Sequence, residues 1–379
     1  MPLAPPAMPG LAMSEIDTPA LLIDLDAFER NLQRMAAFTA KAGVRLRPHA
    51  KTHKSPIIGL RQMALGAVGL CCQKVSEAEA MVEGGIPDVY VSNEIVGARK
   101  LDRLAALAHQ ARVMVAVDNE AAVEALGAAA RRAGVRIRTL VEIDCGANRC
   151  GVPPGAPAVA LAERVAREPG LAFGGLQSYQ GRAQHMRSLD ERKAAIARAV
   201  EVTADTVAAL RRAGLDCEVV GGAGTGTFEI EGASGVYNEL QAGSYCFMDA
   251  DYARNRKADG TRFDTFEHAL FVLATVMSTP VADRAVLDAG LKAFSFDSGP
   301  PEVHGLAGAV YERPSDEHGG LDLAACNERP ALGDKLLLIP GHCDPTVNLH
   351  DWYIGVRGMG TARARVESVW PVAARGAVF

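Results

Sequence analysis

The sequence predicts an α/β fold in which a (β/α)8 TIM-type barrel is followed by a C-terminal all-β domain. The chain has 379 residues, more than one small hydrophobic core accommodates. Up to about residue 249, short apolar runs alternate with Ala-rich segments of helical periodicity. Beyond that point, strand-like runs separated by Gly, Pro and Asp continue without comparable helices.

The N-terminal part is expected to contain a lead-in and one strand that precedes the barrel. Residues 1–16 are rich in Pro and Ala, and we expect them to be disordered. The apolar run at residues 20–24 predicts a strand. Because this strand comes before the first barrel helix, residues 17–26 are expected to join the later β domain. Asp26 is expected to cap a helix that begins at Ala27.

Residues 27–250 are expected to form the barrel. Strand candidates begin near Val44, Val68, Val89, Val113, Ile137, Ala172, Cys217 and Glu239. Predicted helices cover residues 57–65, 76–83, 98–109, 120–133, 156–167 and 187–212, whereas residues 221–238 contain no clear helix. An open sheet of six or seven strands is the alternative, because periodicity alone does not distinguish short apolar runs from buried helix.

Residues 251–379 are expected to form the β domain. Its predicted strands cover residues 266–277, 285–288, 309–311, 335–339, 352–356 and 364–370. Residues 315–320 are typical of a hairpin turn with solvated charges, and this turn could reach the site of a partner subunit.

Composition excludes several classes of protein. A formal net charge of −5 and a pI near 6.0 give no general attraction to nucleic acid or to anionic membranes. The longest apolar stretch, residues 269–277, is too short to span a bilayer. The eight cysteines lack a CxxC spacing and mostly lie in or beside apolar runs, which is typical of reduced thiols. We therefore expect a cytoplasmic enzyme without nucleic-acid or membrane partners.

The segment of residues 47–54, RPHAKTHK, is the strongest candidate for a catalytic loop. It follows the first barrel strand and places Lys51 among histidines and other cations, where neighbouring charges and partial burial can lower the pKa of its amine. Such an amine can form a Schiff base. A basic surface loop is the alternative on spacing alone. The position at the carboxyl end of a barrel strand favours catalysis, because barrels keep their chemistry there.

Polar and small residues follow the other predicted strands. Gln73, Arg149, Tyr179 and His185 follow strands two, five and six, although loops are polar in any case. The loops after strands seven and eight contain Gly224, Thr225, Gly243 and Ser244. Small residues let backbone N–H groups approach an anion, and barrels commonly bind phosphate at these two loops. Neither loop matches the dinucleotide or P-loop spacing.

The β domain contains a candidate metal site. Within PGHCDPT at residues 340–346, His342 and Asp344 would project to one side of an extended segment and Cys343 to the other. One imidazole and one carboxylate suit a divalent ion such as Mn, Mg, Co or Zn. The alternative is a turn with a stray histidine.

Six ordered motifs together resemble one family. They are DTPA (17–20), RPHAK (47–51), CQKVSEA (72–78), GGAGTG (221–226), LQAGSY (240–245) and PGHCDPT (340–346). The chain resembles the D-threonine aldolase and D-serine dehydratase-like family of the alanine racemase fold type, whose members use pyridoxal 5'-phosphate (PLP). The resemblance runs from about residue 17 to the C-terminus.

The resemblance implies roles for individual residues. Lys51 matches the lysine that binds PLP covalently, and Arg149 the arginine that faces the pyridine nitrogen. Gln73 and Tyr179 match residues of the cofactor pocket. The loops of Gly224 and Thr225 and of Gly243 and Ser244 match the phosphate cradle. His185 matches a proposed base, and His342 and Asp344 match the metal ligands. Gln180 stands where a histidine is expected.

The resemblance implies a PLP- and metal-dependent aldolase that cleaves D-β-hydroxy-α-amino acids to glycine and an aldehyde. The dehydratase branch has a cysteine where this chain has Asp344, which favours the aldolase branch. A dehydratase of D-serine or 3-hydroxyaspartate on the same scaffold is the alternative. A non-catalytic PLP-binding protein would lack the β domain, and a PLP-free hydrolase would need more metal ligands. D-threonine, phenylserine-like compounds and 3-hydroxy-D-aspartate are open as substrates, the last with Arg182 or Arg187 as a partner for its extra carboxylate. A homodimer is expected.

Overall fold

The computed structural model describes residues 4–379 and contains two sheets, each the centre of one layered unit. In chain order, the strands are β1 Ala20–Asp24, β2 Arg45–Leu46, β3 Leu70–Cys72, β4 Asp88–Glu94, β5 Arg112–Val117, β6 Ile137–Glu142, β7 Leu171–Gln177, β8 Val219–Gly222, β9 Glu239–Leu240, β10 Leu270–Val281, β11 Arg284–Leu287, β12 Glu302–His304, β13 Val310–Glu312, β14 Gly319–Asp322, β15 Lys335–Ile339, β16 Trp352–Arg357 and β17 Arg365–Pro371. The helices are α1 Leu25–Ala42, α2 Pro56–Ala64, α3 Val75–Glu83, α4 Ala98–Leu107, α5 Glu120–Ala133, α6 Ala156–Arg167, α7 Leu189–Arg212, α8 Phe228–Gly232, α9 Ala250–Ala253 and α10 Cys343–Val347.

Strands β2 to β9 form the predicted parallel barrel. Their order is β2-β9-β8-β7-β6-β5-β4-β3, so neighbours in space follow the chain except at the seam between β2 and β9. Backbone hydrogen bonds between β2, β3 and the residues that flank them close the ring. The Val68 N–H donates to the Leu46 carbonyl at 2.9 Å, and the Cys71 N–H donates to the Pro48 carbonyl at 2.8 Å. The closed ring places the carboxyl ends of all eight strands on one rim, which confirms the predicted fold class.

The helices end where local chemistry predicts, with one correction. In α5, the Asn119 side chain caps the N-terminus and Gly134 ends the helix at φ 70°, a conformation that favours glycine. Helix α1, however, begins at Leu25 and is capped by Asp24, whose carboxylate accepts the Asp26 and Ala27 N–H groups. The prediction of Asp26 as the cap was wrong because two acidic residues lie two positions apart and the end of β1 selects the first.

The second sheet has nine strands and is built mainly from the C-terminal third of the chain. Its longest path is β13-β14-β11-β10-β1-β16-β17, while β15 pairs with both β10 and β12. Strand β1 lies between β10 (antiparallel) and β16 (parallel). A strand from the N-terminus is therefore part of this sheet, and α1 then carries the chain into the barrel. The predicted hairpin turn links β13 and β14. Strands β12 and β14 were not predicted from the sequence, because both are short and rich in polar residues or glycine.

The expectation of a disordered lead-in was wrong for residues 4–16, and residues 1–3 lie outside the described residues. Ala7 and Ile16 are buried among side chains of the second sheet. The Gly10 N–H donates to the carbonyl of Val366, and the Val366 N–H donates to that of Leu11. The partners of this segment come from β17, so local composition gave no signal of them.

The described residues contain no helix long and apolar enough to cross a membrane. All eight cysteines are free thiols.

Candidate active site

All eleven predicted site residues line one cavity, which is partly open to solvent. The cavity lies at the carboxyl ends of the barrel strands, where the second domain meets the rim. It is lined by Lys51, Gln73, Arg149, Tyr179, His185, Gly224, Thr225, Gly243, Ser244, His342 and Asp344, and also by His49, Thr52, Ser92, Gln177, Gln241 and Tyr252. Residues from nine segments, which are spread over almost 300 positions of sequence, are thus brought together.

Lys51 projects from a single 3-10 turn, Ala50–Thr52, directly after β2. The imidazole Nδ1 of His49 accepts the Lys51 backbone N–H at 3.4 Å, which fixes the direction of the turn. The Lys51 amine lies 3.3 Å from a carboxylate oxygen of Asp344. Burial acts to lower the pKa of this amine, but the charge of Asp344, the neighbouring Tyr179 and a hydrogen bond to Asp344 together outweigh burial and raise the pKa. The expectation of a lowered pKa was therefore wrong, because the carboxylate comes from the other domain.

Arg149 lies beside the ring of Tyr179 and close to a buried acid. Its guanidinium carbon is 5.5 Å from the centre of the Tyr179 ring, and a guanidinium nitrogen is 3.8 Å from Glu142. Burial, followed by the neighbouring Glu94, raises the pKa of Glu142 to about 8. Arg149 is a permanent cation at one end of the cavity and presents donors only.

Two small-residue loops, after β8 and β9, also line the cavity. An added Cβ at Gly243 would lie 2.5 Å from the Thr52 hydroxyl, and one at Gly224 would lie 2.5 Å from the Gln184 side chain. A side chain at either position would therefore displace a neighbouring group, Thr52 at Gly243 and Gln184 at Gly224. The hydroxyl of Thr225 is buried and has no hydrogen-bond partner among the described residues. A buried hydroxyl that has no partner in the described part of the chain, in a cavity lined by two glycine-containing loops, suits an anionic ligand.

His342 and Asp344 approach each other closely, with 4.0 Å between the imidazole Nε2 and a carboxylate oxygen. The Asp297 carboxylate lies 2.7 Å from Nδ1 of His342, which leaves Nε2 facing Asp344. Burial would raise the pKa of Asp344, but Lys51 and His342 outweigh it and lower this pKa. Ligand bonds of about 2.0–2.2 Å let both groups reach one ion.

The local conformation of this segment differs from the prediction. His342 is extended, whereas Cys343 begins the short helix α10, which includes Asp344. Cys343 does point away from the cavity, and its N–H and thiol donate to the buried carboxylate of Asp249. Cys343 thus points away from His342 and Asp344 because a helix begins at this residue, and not because side chains alternate along a strand.

His185 ends the 3-10 turn Gly181–His185 that follows β7. Its Nδ1 lies 2.6 Å from a carboxylate oxygen of Asp251, and its ring stacks on Tyr252 with 6.1 Å between centres. Arg187 donates to the carboxylate and carbonyl of Asp251, so it is occupied in the protein and not free for a substrate carboxylate. Arg182 is exposed.

Several residues in or next to the cavity were not among the predicted site residues. His49 and Thr52 flank Lys51 and could have been found from that proximity. Asp251 and Asp297, the partners of the two histidines, lie 66 and 45 positions from them and carry no local signal.

Two family models match the chain. The alanine racemase N-terminal domain matches residues 23–251, and the putative serine dehydratase domain matches residues 269–356. These ranges correspond to the barrel and to most of the second domain.

Relatives match almost the full length. A 3-hydroxy-D-aspartate aldolase of Paracoccus denitrificans is 49% identical, with 98% of this chain and 95% of that protein covered. A D-threonine aldolase of an Arthrobacter species is 47% identical, with 99% and 97% covered. The crystal structure of D-threonine aldolase from Filomicrobium marinum is 57% identical and superposes with a TM-score of 0.95, covering 99% of this chain and 100% of that one. A D-threo-3-hydroxyaspartate dehydratase of Delftia is more distant, at 30% identity over 87% of this chain and 92% of that protein. The chain therefore belongs to the family of alanine-racemase-fold enzymes that includes the D-threonine and 3-hydroxy-D-aspartate aldolases, which are carbon–carbon lyases.

Proposed function

We propose that this protein cleaves D-β-hydroxy-α-amino acids to glycine and an aldehyde, with PLP and a divalent metal ion as cofactors. The observation that carries the proposal is that a lysine, a His–Asp pair and a histidine whose Nε2 has no hydrogen-bond partner among the described residues line a single cavity. The D configuration of the substrate is inferred from the relatives. D-threonine, phenylserine-like compounds and 3-hydroxy-D-aspartate are the candidate substrates, the last giving glyoxylate.

The residues present fit PLP. A phosphate group would supply the acceptor that the Thr225 hydroxyl lacks among residues 4–379, and the two glycine-containing loops leave room for the approach of an anion. When bound, PLP supplies a sink for the electron pair that bond cleavage leaves at Cα. Lys51 would hold it covalently, and Gln73 and Tyr179 would line its pocket. Arg149 donates hydrogen bonds and gives up no proton, so it would keep a facing ring nitrogen unprotonated and weaken the sink, which limits side reactions.

The His342–Asp344 pair fits a divalent ion such as Mn, Mg or Co, with Zn also compatible. Asp297 holds Nδ1 of His342, so that Nε2 is the ligand atom, and such outer partners are typical of metal-binding histidines. The ion lowers the pKa of a hydroxyl that it binds. Two protein ligands leave the remaining positions to substrate and water.

His185 and Lys51 carry the proton and amine chemistry of the proposal. His185 would take the proton from the β-hydroxyl at Nε2 as the Cα–Cβ bond breaks, which is general-base catalysis. The amine of Lys51, which Asp344 holds at 3.3 Å, would return to the cofactor as product leaves. The second domain supplies Asp344, so substrate chemistry takes place between the two domains.

A dehydratase on the same scaffold is the second candidate. It would release a keto acid and ammonia, with Lys51 removing the α-proton. The carboxylate of Asp344 at the metal position, in place of the cysteine expected in the dehydratase branch, and the higher identity to aldolases favour the aldolase.

A product assay tests the proposal. The purified protein with PLP and Mn is given D-threonine, D-serine and 3-hydroxy-D-aspartate, each with and without EDTA. Glycine formed only with metal is expected, together with loss of activity in His342→Ala and Lys51→Ala. His109→Ala, an exposed histidine at the end of α4, serves as the matched control. Keto acid and ammonia, or full activity of His342→Ala in EDTA, would contradict the aldolase mechanism.

Assembly and location are also proposals. We expect a homodimer in the cytoplasm, with the β13–β14 hairpin near the partner subunit. Light scattering on the purified protein measures the mass against a monomer of 39.9 kDa.

A further inference from the structure

We propose that Asp251 is a positioning residue that sets the ring orientation and tautomer of His185 and links this histidine to the metal-binding segment. The proposal rests on the proposed function, because it assigns to His185 the role of proton acceptor.

Asp251 is built to hold an imidazole in one orientation. Its carboxylate lies 2.6 Å from Nδ1 of His185, and its side chain is only 6% exposed, while that of His185 is 53% exposed. Arg187 binds the other carboxylate oxygen, and it also donates to the Asp251 carbonyl at 2.7 Å and to the side chain of Asn255 at 2.9 Å. Neither carboxylate oxygen can therefore rotate away from its partner without breaking a charge-assisted bond.

The charge state of Asp251 decides which ring nitrogen of His185 is available. Burial alone would raise the pKa of Asp251, but hydrogen bonds from His185 and Arg187 lower it to about 2. The ionised carboxylate accepts hydrogen bonds and cannot donate one. Nδ1 must therefore carry the hydrogen, and in the neutral ring Nε2 keeps its lone pair. A base needs this tautomer to accept a proton at Nε2.

The backbone around Asp251 extends this control to the metal-binding segment. The Asp251 N–H donates to the Gly341 carbonyl at 3.1 Å, next to His342. Two positions earlier, the carboxylate of Asp249 accepts the Cys343 N–H at 3.0 Å, between the two metal-ligand candidates. Residues 249–251 thus contact both the base and the metal-binding segment, and they set the distance between them.

The test compares Asp251→Asn with His185→Gln in the holoenzyme loaded with PLP and Mn. We expect Asp251→Asn to lower kcat about 100-fold or more while KM changes less than threefold, because the Asn amide can donate to Nδ1 and select the wrong tautomer. Mn affinity should stay within threefold of wild type, because the substitution leaves the backbone contact to Gly341 intact. The exposed Asp190→Asn on α7 is the matched control and should keep wild-type kinetics.

A spectroscopic readout separates positioning from general structural support. In ¹⁵N-histidine-labelled protein, the His185 signal, assigned by its loss in His185→Gln, should report the Nδ1–H tautomer in wild type. It should shift toward Nε2–H in Asp251→Asn. An Nε2–H tautomer in wild type would overturn the inference even if the variant failed to fold. If His185→Gln is inactive but Asp251→Asn keeps the kcat of wild type, the inference is wrong and the proposed function still stands. If His185→Gln is fully active, His185 is not the base.

Discussion

Replacing Arg47 by Met should destabilise the barrel at its seam. Arg47 directly follows β2 and is buried. It binds Glu239 of β9 at 2.8 Å and Asp88, the first residue of β4, at 2.6 Å, so that it connects the three strands. Removing one partner of a buried ion pair typically costs about 3–5 kcal/mol, because the other charge stays buried. Here Arg45 remains 3.4 Å from Glu239 and Arg112 remains 3.1 Å from Asp88. We therefore expect the low end of the range, about 3 kcal/mol.

The assay is equilibrium unfolding in guanidinium chloride, followed by circular dichroism. Arg45→Met is the matched control, since Arg45 contacts the same Glu239 from a more exposed position and its loss should cost at most about 1 kcal/mol. Adding Glu239→Gln to Arg47→Met should recover at least about 1 kcal/mol, because the uncompensated charge is then absent. Equal losses for Arg47→Met and Arg45→Met, or no recovery in the double variant, would refute the assignment of the effect to a buried charge.

Three further predictions concern the cavity and its surroundings. Asp297→Asn should weaken Mn binding roughly 10- to 100-fold by releasing Nδ1 of His342, as measured by metal titration; unchanged affinity would argue against a ligand role for that histidine. Thr225→Val should lower PLP affinity about 10-fold, whereas Thr225→Ser should retain it, because only the hydroxyl can bind a phosphate; equal affinities in a PLP titration would contradict the cradle. Burial raises the pKa of Glu231 from 4.5 to about 8. Because the folded state then holds a proton that the unfolded state releases, the stability of wild type relative to Glu231→Gln should be greatest below pH 4.5 and should fall by roughly 5 kcal/mol as the pH rises from 4.5 through 8. Parallel pH profiles of unfolding for the two proteins would contradict this.

The barrel was predictable because its signals are local. Each strand of a parallel barrel is buried on both faces, so it reads as a short apolar run, and each crossover helix shows its own periodicity. Residues 221–238, in which the sequence shows no clear helix, contain only the five-residue helix α8. The second sheet was harder to predict, because β12 and β14 are short and polar or glycine-rich and are defined by pairing, β12 with β15 and β14 with β11 and β13.

The sequence by itself determined the chemical inventory: a lysine after the first strand, glycine loops after the last two, and a histidine and a carboxylate two positions apart in the second domain. Those residue types and their order along the rim are properties of the chain. Only the tertiary structure decided their charge states and partners. Asp344 raises the pKa of Lys51 instead of leaving it lowered, Asp251 selects the nitrogen of His185, and Asp297 selects that of His342. The physical reason is that electrostatic and hydrogen-bonding effects act over a few ångströms in space, and the groups that exert them here are brought together from distant parts of the chain by packing that no local pattern encodes.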